Sequence, residues 1–255
     1  MICAILVLLE LATYLIYTIP YLFVLWIRKK INFKKGSEAA QRGAAWILRR
    51  MARTALGDAE FRVEGLENIP RDRAVLFVSN HRSYFDIITS YPVLPVQTGY
   101  IAKDTLGKIP SMRQWMELLN CLFLNRDDIR QGVRVIQRAT ELVKGGTSIW
   151  ICPEGTRNKN RDNTTLLEFH EASFKIAERS GCPIVPVAFY GTDRVWEAQY
   201  PKMRPYPVTI RFGRPFTVKE LGPQWKRKTA AYTAEVIRKM LVEEKDRREA
   251  AEVKQ

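Results

Sequence analysis

From Met1 to Ile27 the chain is almost wholly apolar, interrupted by Glu10 and Pro20, and the cations Arg28, Lys29, Lys30, Lys34 and Lys35 follow at once. About 20 apolar residues match the hydrocarbon thickness of a bilayer, so this run is long enough to cross one. It lacks the basic start and small-residue cleavage site of a signal peptide. The cluster after it favours the cytoplasmic side, which puts the remaining chain there too. Glu10 and Pro20 leave two geometries open, a spanning helix and a re-entrant hairpin, and membrane contact is expected from both. Over 38–56, Trp46, Ile47, Leu48, Met51 and Leu56 interleave with Arg42, Arg49, Arg50 and Arg53 at helical spacing. Such a helix either lies in the headgroup layer or packs on the domain that follows.

From Phe61 the texture changes to short apolar runs alternating with helical stretches, the pattern of an α/β domain. Strands are predicted over 61–64, 74–79, 99–102, 121–124, 148–152, 184–189 and 209–212. Helices are predicted over 84–91, 111–119, 130–144 and 167–180, with a charged helical tail over 225–253. Pro110, Gly145, Gly146, Gly181 and Pro183 punctuate the series. No repeat or low-complexity linker marks a second globular domain. The expected layout is membrane-associated helices over 1–57 and an α/β domain with a C-terminal helix over 58–255.

Composition changes this picture in one respect. Hydrophobic residues at 46% supply a core and exclude disorder, while 41 Lys+Arg against 27 Asp+Glu leave a net charge of +14. That balance favours an anionic partner: a nucleic acid, an anionic membrane or a phosphorylated substrate. The cations are dispersed rather than clustered with aromatics, so nucleic acid is not expected. Cys3, Cys121, Cys152 and Cys182 have no paired short spacing, so neither a zinc site nor a disulfide framework is expected.

The stretch Ala74–Asp86 reads Ala-Val-Leu-Phe-Val-Ser-Asn-His-Arg-Ser-Tyr-Phe-Asp. An apolar strand ends at Asn80 and leaves His81 at its carboxyl end, where α/β sheets hold ligands. Ser83 and Asp86 have the spacing of a capping box, so a helix is expected to start here. Asp86 within reach of one His81 ring nitrogen would leave the other free to take a hydroxyl proton. Backbone N–H groups of this turn would then stabilise an oxyanion. No Gly-x-Ser-x-Gly elbow and no cysteine signature supplies a nucleophile, so the substrate's own alcohol is the candidate. Further on, an apolar strand ends in Pro153-Glu154-Gly155-Thr156-Arg157. Gly155 permits close backbone approach, Arg157 offers a planar fork for phosphate, and Glu154 could orient that arginine or touch the acceptor. Lys103 and Arg126 also follow short apolar runs, and these strand ends converge if their strands share one sheet.

Taken together, these blocks resemble the glycerolipid acyltransferase family, and within it the bacterial 1-acylglycerol-3-phosphate acyltransferases. Asn80-His81 with Asp86 matches the family's His-x-x-x-x-Asp block, and residues 153–157 match its Pro-Glu-Gly-Thr-Arg block. The resemblance covers about Gly65 to Pro215. It implies a mixed sheet flanked by helices, with membrane-associated helices at the N-terminus. It implies His81 as general base, Asp86 as its orienting partner, and Arg126, Glu154, Gly155, Thr156, Arg157 and Lys103 around the acceptor. The implied donor is acyl-CoA or acyl-carrier protein as co-substrate, with no metal or other cofactor. The implied acceptor is lysophosphatidate, with glycerol 3-phosphate or another lysolipid as the alternative. The implied place is the cell membrane, with the catalytic domain on its cytoplasmic side. Three positions depart from the family pattern. Cys152 stands where Phe is usual, Phe169-His170-Glu171-Ala172 replaces Phe-Lys-x-Gly, and no Gly follows Ile109-Pro110 closely.

Overall fold

The computed structural model describes residues 2–225 and 227–253. Each predicted strand is present: β1 (Phe61–Glu64), β2 (Leu76–Ser79), β3 (Thr98–Lys103), β4 (Leu122–Leu124), β5 (Ser148–Ile151), β6 (Ile184–Tyr190) and β7 (Val208–Phe212). They form one sheet in the order β1-β7-β6-β2-β5-β3-β4. From β6 to β4 every neighbour pair is parallel, β7 runs antiparallel to β6, and β1 runs parallel to β7. The carboxyl ends of β2, β5, β3 and β4 therefore lie along one edge, which is where the polar motifs follow.

The sheet is covered on both faces, and the period-2 alternation of its strands divides the core. Phe77 of β2 and Trp150 of β5 point to a face shared with Ile47, Met51, Phe85 and Trp115. Leu76, Val78, Ile149 and Ile151 point to the other, shared with Ala139, Leu142, Ile176 and Ile237. Helices α3 (Phe33–Leu56), α4 (Phe85–Ser90) and α5 (Pro110–Leu118) cover the first face. Helices α6 (Ile129–Lys144), α7 (Lys175–Ser180) and α8 (Thr229–Glu252) cover the second. Trp150 is the hub of the first face. It is fully buried and stacks on Phe77 at 5.0 Å, Tyr100 at 5.3 Å and Phe189 at 5.7 Å between centroids. Its indole N–H donates to Ser79 Oγ at 2.8 Å, tying the core to the end of β2.

Two predicted helices differ from the structure. The stretch 167–180 is not one helix: a 3-10 turn occupies Glu171–Phe174, and only α7 is α-helical. Leu167 N–H donates to Glu154 Oε2 and His170 N–H to the Pro153 carbonyl, so tertiary bonds hold this stretch against the 153–155 turn. The tail helix starts at Thr229 rather than at 225.

The N-terminal apolar run divides at Thr18 into α1 (Ile2–Tyr17) and α2 (Ile19–Ile31), bent by 61°. Pro20 sits in the first turn of α2, where its missing N–H is harmless. No single described helix is long and apolar enough to cross a membrane, although the bent pair together has the length and composition. Glu10, the charge inside the run, reaches Arg50 at 3.0 Å and the Thr54 hydroxyl at 3.0 Å, which fastens α1 to α3. Lys29 Nζ donates to the carbonyls of Glu117 and Leu118 and to Asn120 Oδ1, which fastens α2 to the end of α5. At the α2–α3 elbow, Gly36 lets the backbones touch; a Cβ there would lie 2.3 Å from Lys29 Cα. The face of α3 bearing Ile47 and Met51 packs into the core, while Trp46 stays exposed.

Candidate active site

The site begins where β2 ends. Asn80, 1% exposed, accepts from Phe189 N–H at 2.8 Å and donates to the Phe189 carbonyl at 2.9 Å, stapling the strand end to β6. The chain then turns, and His81 Nδ1 meets Asp86 Oδ2 at 2.8 Å. The same oxygen accepts the backbone N–H groups of Arg82 at 2.8 Å and Ser83 at 3.0 Å. Asp86 is fully buried, and the two backbone N–H groups already fix Oδ2 as an acceptor. Nδ1 is therefore the protonated nitrogen of the neutral ring. Nε2 makes no bond among the described residues, and the His81 side chain is partly open to solvent. Helix α4 starts at Phe85; the Ser83 N–H to Asp86 carboxylate half of the expected box is present, while Ser83 Oγ accepts from Phe85 N–H rather than from Asp86 N–H.

The turn after β5 holds the histidine from behind. Glu154 Oε1 accepts His81 N–H at 2.8 Å, and its other oxygen accepts Leu167 N–H at 2.9 Å. Asn158 N–H closes the other side by donating to the His81 carbonyl at 2.7 Å. Glu154 is 4% exposed, and burial pushes its carboxyl up to about 7 against the pull of those two N–H groups. Glu154 does not orient Arg157, which bonds Glu197 instead; its two oxygens accept backbone N–H groups. Gly155 adopts φ +69°, the left-handed conformation that reverses the chain here. Thr156 beside it is exposed.

Three residues that carry no motif complete the arrangement. Arg82, 2% exposed, lies under the loop 158–164, in which Asn158, Asn160 and Asp162 each accept the backbone N–H two residues on. The carbonyls of Asn160 and Asp162 close on the Arg82 guanidinium, and Asp193 Oδ2 lies 3.2 Å away, so the buried charge is neutralised. The alternating Asn and Asp residues were visible in the sequence; their buried cation was not. The third is Glu197, which accepts from the Ser83 hydroxyl at 2.6 Å, Tyr84 N–H at 2.8 Å and Arg157 Nη1 at 3.0 Å. The Arg157 guanidinium also lies 4.1 Å over the Tyr84 ring. Nothing local in the sequence points to Glu197.

The turn from His81 to Asp86 does not present the expected oxyanion donors. All six of its backbone N–H groups are engaged, by Glu154, Asp86, Asp86, Glu197, Ser83 Oγ and the Ser83 carbonyl in order. In the neighbouring turn, the N–H groups of Thr156 and Arg157 have no partner among the described residues. Lys103 ends β3 and Arg126 follows β4, both exposed on the same edge as His81 but farther along it. Cys152 is not a nucleophile in waiting: burial pushes its thiol up to about 12.

The family model described as Acyltransferase matches residues 60–190. A chloroplastic 1-acyl-sn-glycerol-3-phosphate acyltransferase of Brassica napus is 37% identical over 52% of this chain and 38% of its own length. The 1-acyl-sn-glycerol-3-phosphate acyltransferase of Borreliella burgdorferi is 32% identical over 51% of this chain and 51% of its own. The chain thus spans about half or less of these relatives. The crystal structure of the 1-acyl-sn-glycerophosphate acyltransferase PlsC from Thermotoga maritima superimposes with a TM-score of 0.72 at 28% identity, covering 93% of this chain and 95% of that one. The family match spans more than half of the 255 residues and holds both polar blocks, so this chain belongs to the Acyltransferase family.

Proposed function

We propose that this chain transfers a fatty acyl group from a thioester, acyl-CoA or acyl-carrier protein, to the free hydroxyl of lysophosphatidate, giving phosphatidate and a free thiol. The observation that carries this reading is the His81–Asp86 pair, whose Nε2 makes no bond among the described residues and whose neighbour Cys152 keeps a thiol pushed up by burial. His81 Nε2 takes the proton of the acceptor hydroxyl as its oxygen attacks the thioester carbonyl. The tetrahedral oxyanion collapses, the C–S bond breaks, and the imidazolium returns its proton to the leaving thiolate. Asp86 steadies the imidazolium, and Glu154 and Asn158 hold the His81 backbone from two sides. The free N–H groups of Thr156 and Arg157 are the oxyanion donors in this account. Arg157 receives the acceptor phosphate, with Arg126 and Lys103 supplying positive charge along the edge.

The acceptor's acyl chain stays in the membrane. Ile5, Leu9, Ile16, Phe23 and Trp26 stand exposed on α1 and α2, a larger apolar face than a free monomer normally shows to water. With Arg28 and Lys30 beside it, this face supports seating on the anionic cytoplasmic leaflet as a bent hairpin.

Product analysis with a labelled acyl thioester and a panel of acceptors tests the reading. Labelled phosphatidate from lysophosphatidate is expected, with little product from glycerol 3-phosphate. Labelled 1-acylglycerol 3-phosphate as the main product would move the acceptor to glycerol 3-phosphate. No acyl ester with any acceptor would overturn the assignment.

A further inference from the structure

Glu197 makes an unusual set of contacts for a partly exposed carboxylate. One oxygen takes the Ser83 hydroxyl, and the other takes both the Tyr84 N–H and the Arg157 guanidinium. Those three donors come from two segments 73 residues apart in the sequence (84 to 157). Ser83 and Tyr84 follow His81 directly, and Arg157 closes the turn that braces His81 from behind. Stacking of the guanidinium over the Tyr84 ring fixes the donors relative to one another. A hydroxyl, a backbone N–H and a guanidinium converging on one point are the donor set that a phosphate monoester requires. In this structure the negative charge they bind belongs to the protein.

We propose that Glu197 is a built-in occupant of the acceptor's phosphate seat, which the phosphomonoester of the acceptor displaces when it binds. The proposal rests on the reading that Arg157 receives that phosphate. While seated, the carboxylate keeps Ser83, Tyr84 and Arg157 in binding geometry and keeps the guanidinium from being left unpaired. A phosphomonoester carries close to two charges and three acceptor oxygens, so it can replace every bond Glu197 gives up. Displacement frees Tyr84 N–H, the one donor of the catalytic turn that is held by a side chain outside the turn and its brace. The self-occupied seat raises the apparent KM for the acceptor in inverse proportion to the fraction of molecules in which the seat is empty.

The test compares wild type, E197Q, E197A and R157Q in detergent, with lysophosphatidate as acceptor and inorganic phosphate as competitive inhibitor. In E197Q the amide keeps one acceptor oxygen but no charge. The seat should empty more readily, lowering the acceptor KM and the inhibition constant of phosphate together by about ten-fold, as expected when a charge-assisted contact becomes neutral. E197A should lower both further, and the thermal midpoints of the variants identify any that fail to fold. R157Q should raise both constants. If E197Q raises or leaves unchanged the acceptor KM while R157Q raises it, the seat stands and Glu197 is only a brace for Arg157, which overturns the proposal. If the donor KM moves instead, the seat belongs to a phosphate of the thioester and the proposal is equally overturned. If R157Q changes neither constant, the acceptor phosphate binds elsewhere, and the reading beneath the proposal falls with it.

Discussion

Replacing Asp86 by Asn separates what its charge does from what its shape does. In the structure Oδ2 accepts all three hydrogen bonds, from His81 Nδ1, Arg82 N–H and Ser83 N–H, while Oδ1 is buried with no partner. An asparagine carbonyl can take the Oδ2 place and keep every one of those bonds, because the alternative puts an NH₂ against two backbone donors. Nδ1 therefore stays protonated and Nε2 stays the base. What disappears is the negative charge facing the imidazolium that forms during proton transfer. At a charge separation near 4 Å and an effective dielectric of 20, that attraction is worth about 4 kcal/mol. At 1.36 kcal/mol per decade the rate should fall about a thousand-fold, inside the range typical of general-base catalysis. The amide NH₂ now sits unpartnered at the buried Oδ1 place, which costs about 1–3 kcal/mol of stability. For a chain of this size that lowers the melting temperature by roughly 2–12 °C. The assay is colorimetric thiol release in detergent at saturating thioester, with kcat and KM for lysophosphatidate taken below the melting range. A large loss in kcat with the acceptor KM nearly unchanged is expected, since Asp86 is buried away from any ligand. A D86N protein that is folded and within five-fold of wild-type kcat would refute the reasoning.

Three further outcomes follow from buried groups. Glu154 has a folded-state pKa of about 7, above the ordinary 4.5, so between those values the folded state holds a proton that the unfolded chain has released. Its contribution to stability must therefore decline as pH rises from 4.5 to 7, and urea unfolding across that window should show a slope that E154Q lacks. Glu244 behaves oppositely: burial alone would raise it, but Arg247, Arg248 and Thr209 outweigh burial and hold it at about 2. Its stabilisation is present above pH 4.5 and lost as pH falls toward 2, so E244Q should lose about 2–3 kcal/mol at pH 7 and little near pH 2 in urea melts. Trp150→Ala empties the centre of the aromatic stack and should lower stability by about 3–5 kcal/mol, read from the same melts.

The strands were legible because each is a short apolar run ended by a polar or turn residue, and tertiary structure had little to overrule. The stretch 167–180 was misread as one helix for a physical reason. Phe169, Ala172 and Ile176 recur at the helical spacings of three and four, yet the bonds from Leu167 to Glu154 and from His170 to Pro153 outweigh that local preference. Pro20 marked the break in the apolar run, and the chain bends just before it. At the site, His81 and Asp86 were readable because they are five residues apart and their geometry is local. Glu197 and Asp193 were not, since their partners Ser83 and Arg82 lie 114 and 111 residues away and no short pattern links them. Glu154 was found, but its bonds were not foreseen. Its place in a polar block suggested a ligand contact, whereas in the structure it is buried and accepts two backbone N–H groups, one of them that of His81.

The central claim is that the acceptor's own hydroxyl is the nucleophile and that His81 activates it. Rapid mixing of enzyme with a labelled acyl thioester, with and without lysophosphatidate, for wild type and His81→Ala, tests this most directly. The account predicts thiol release only when acceptor and His81 are both present, with no burst in the absence of acceptor and no label bound to protein. A burst of one thiol per enzyme without acceptor, with label retained on the denatured chain, would contradict it.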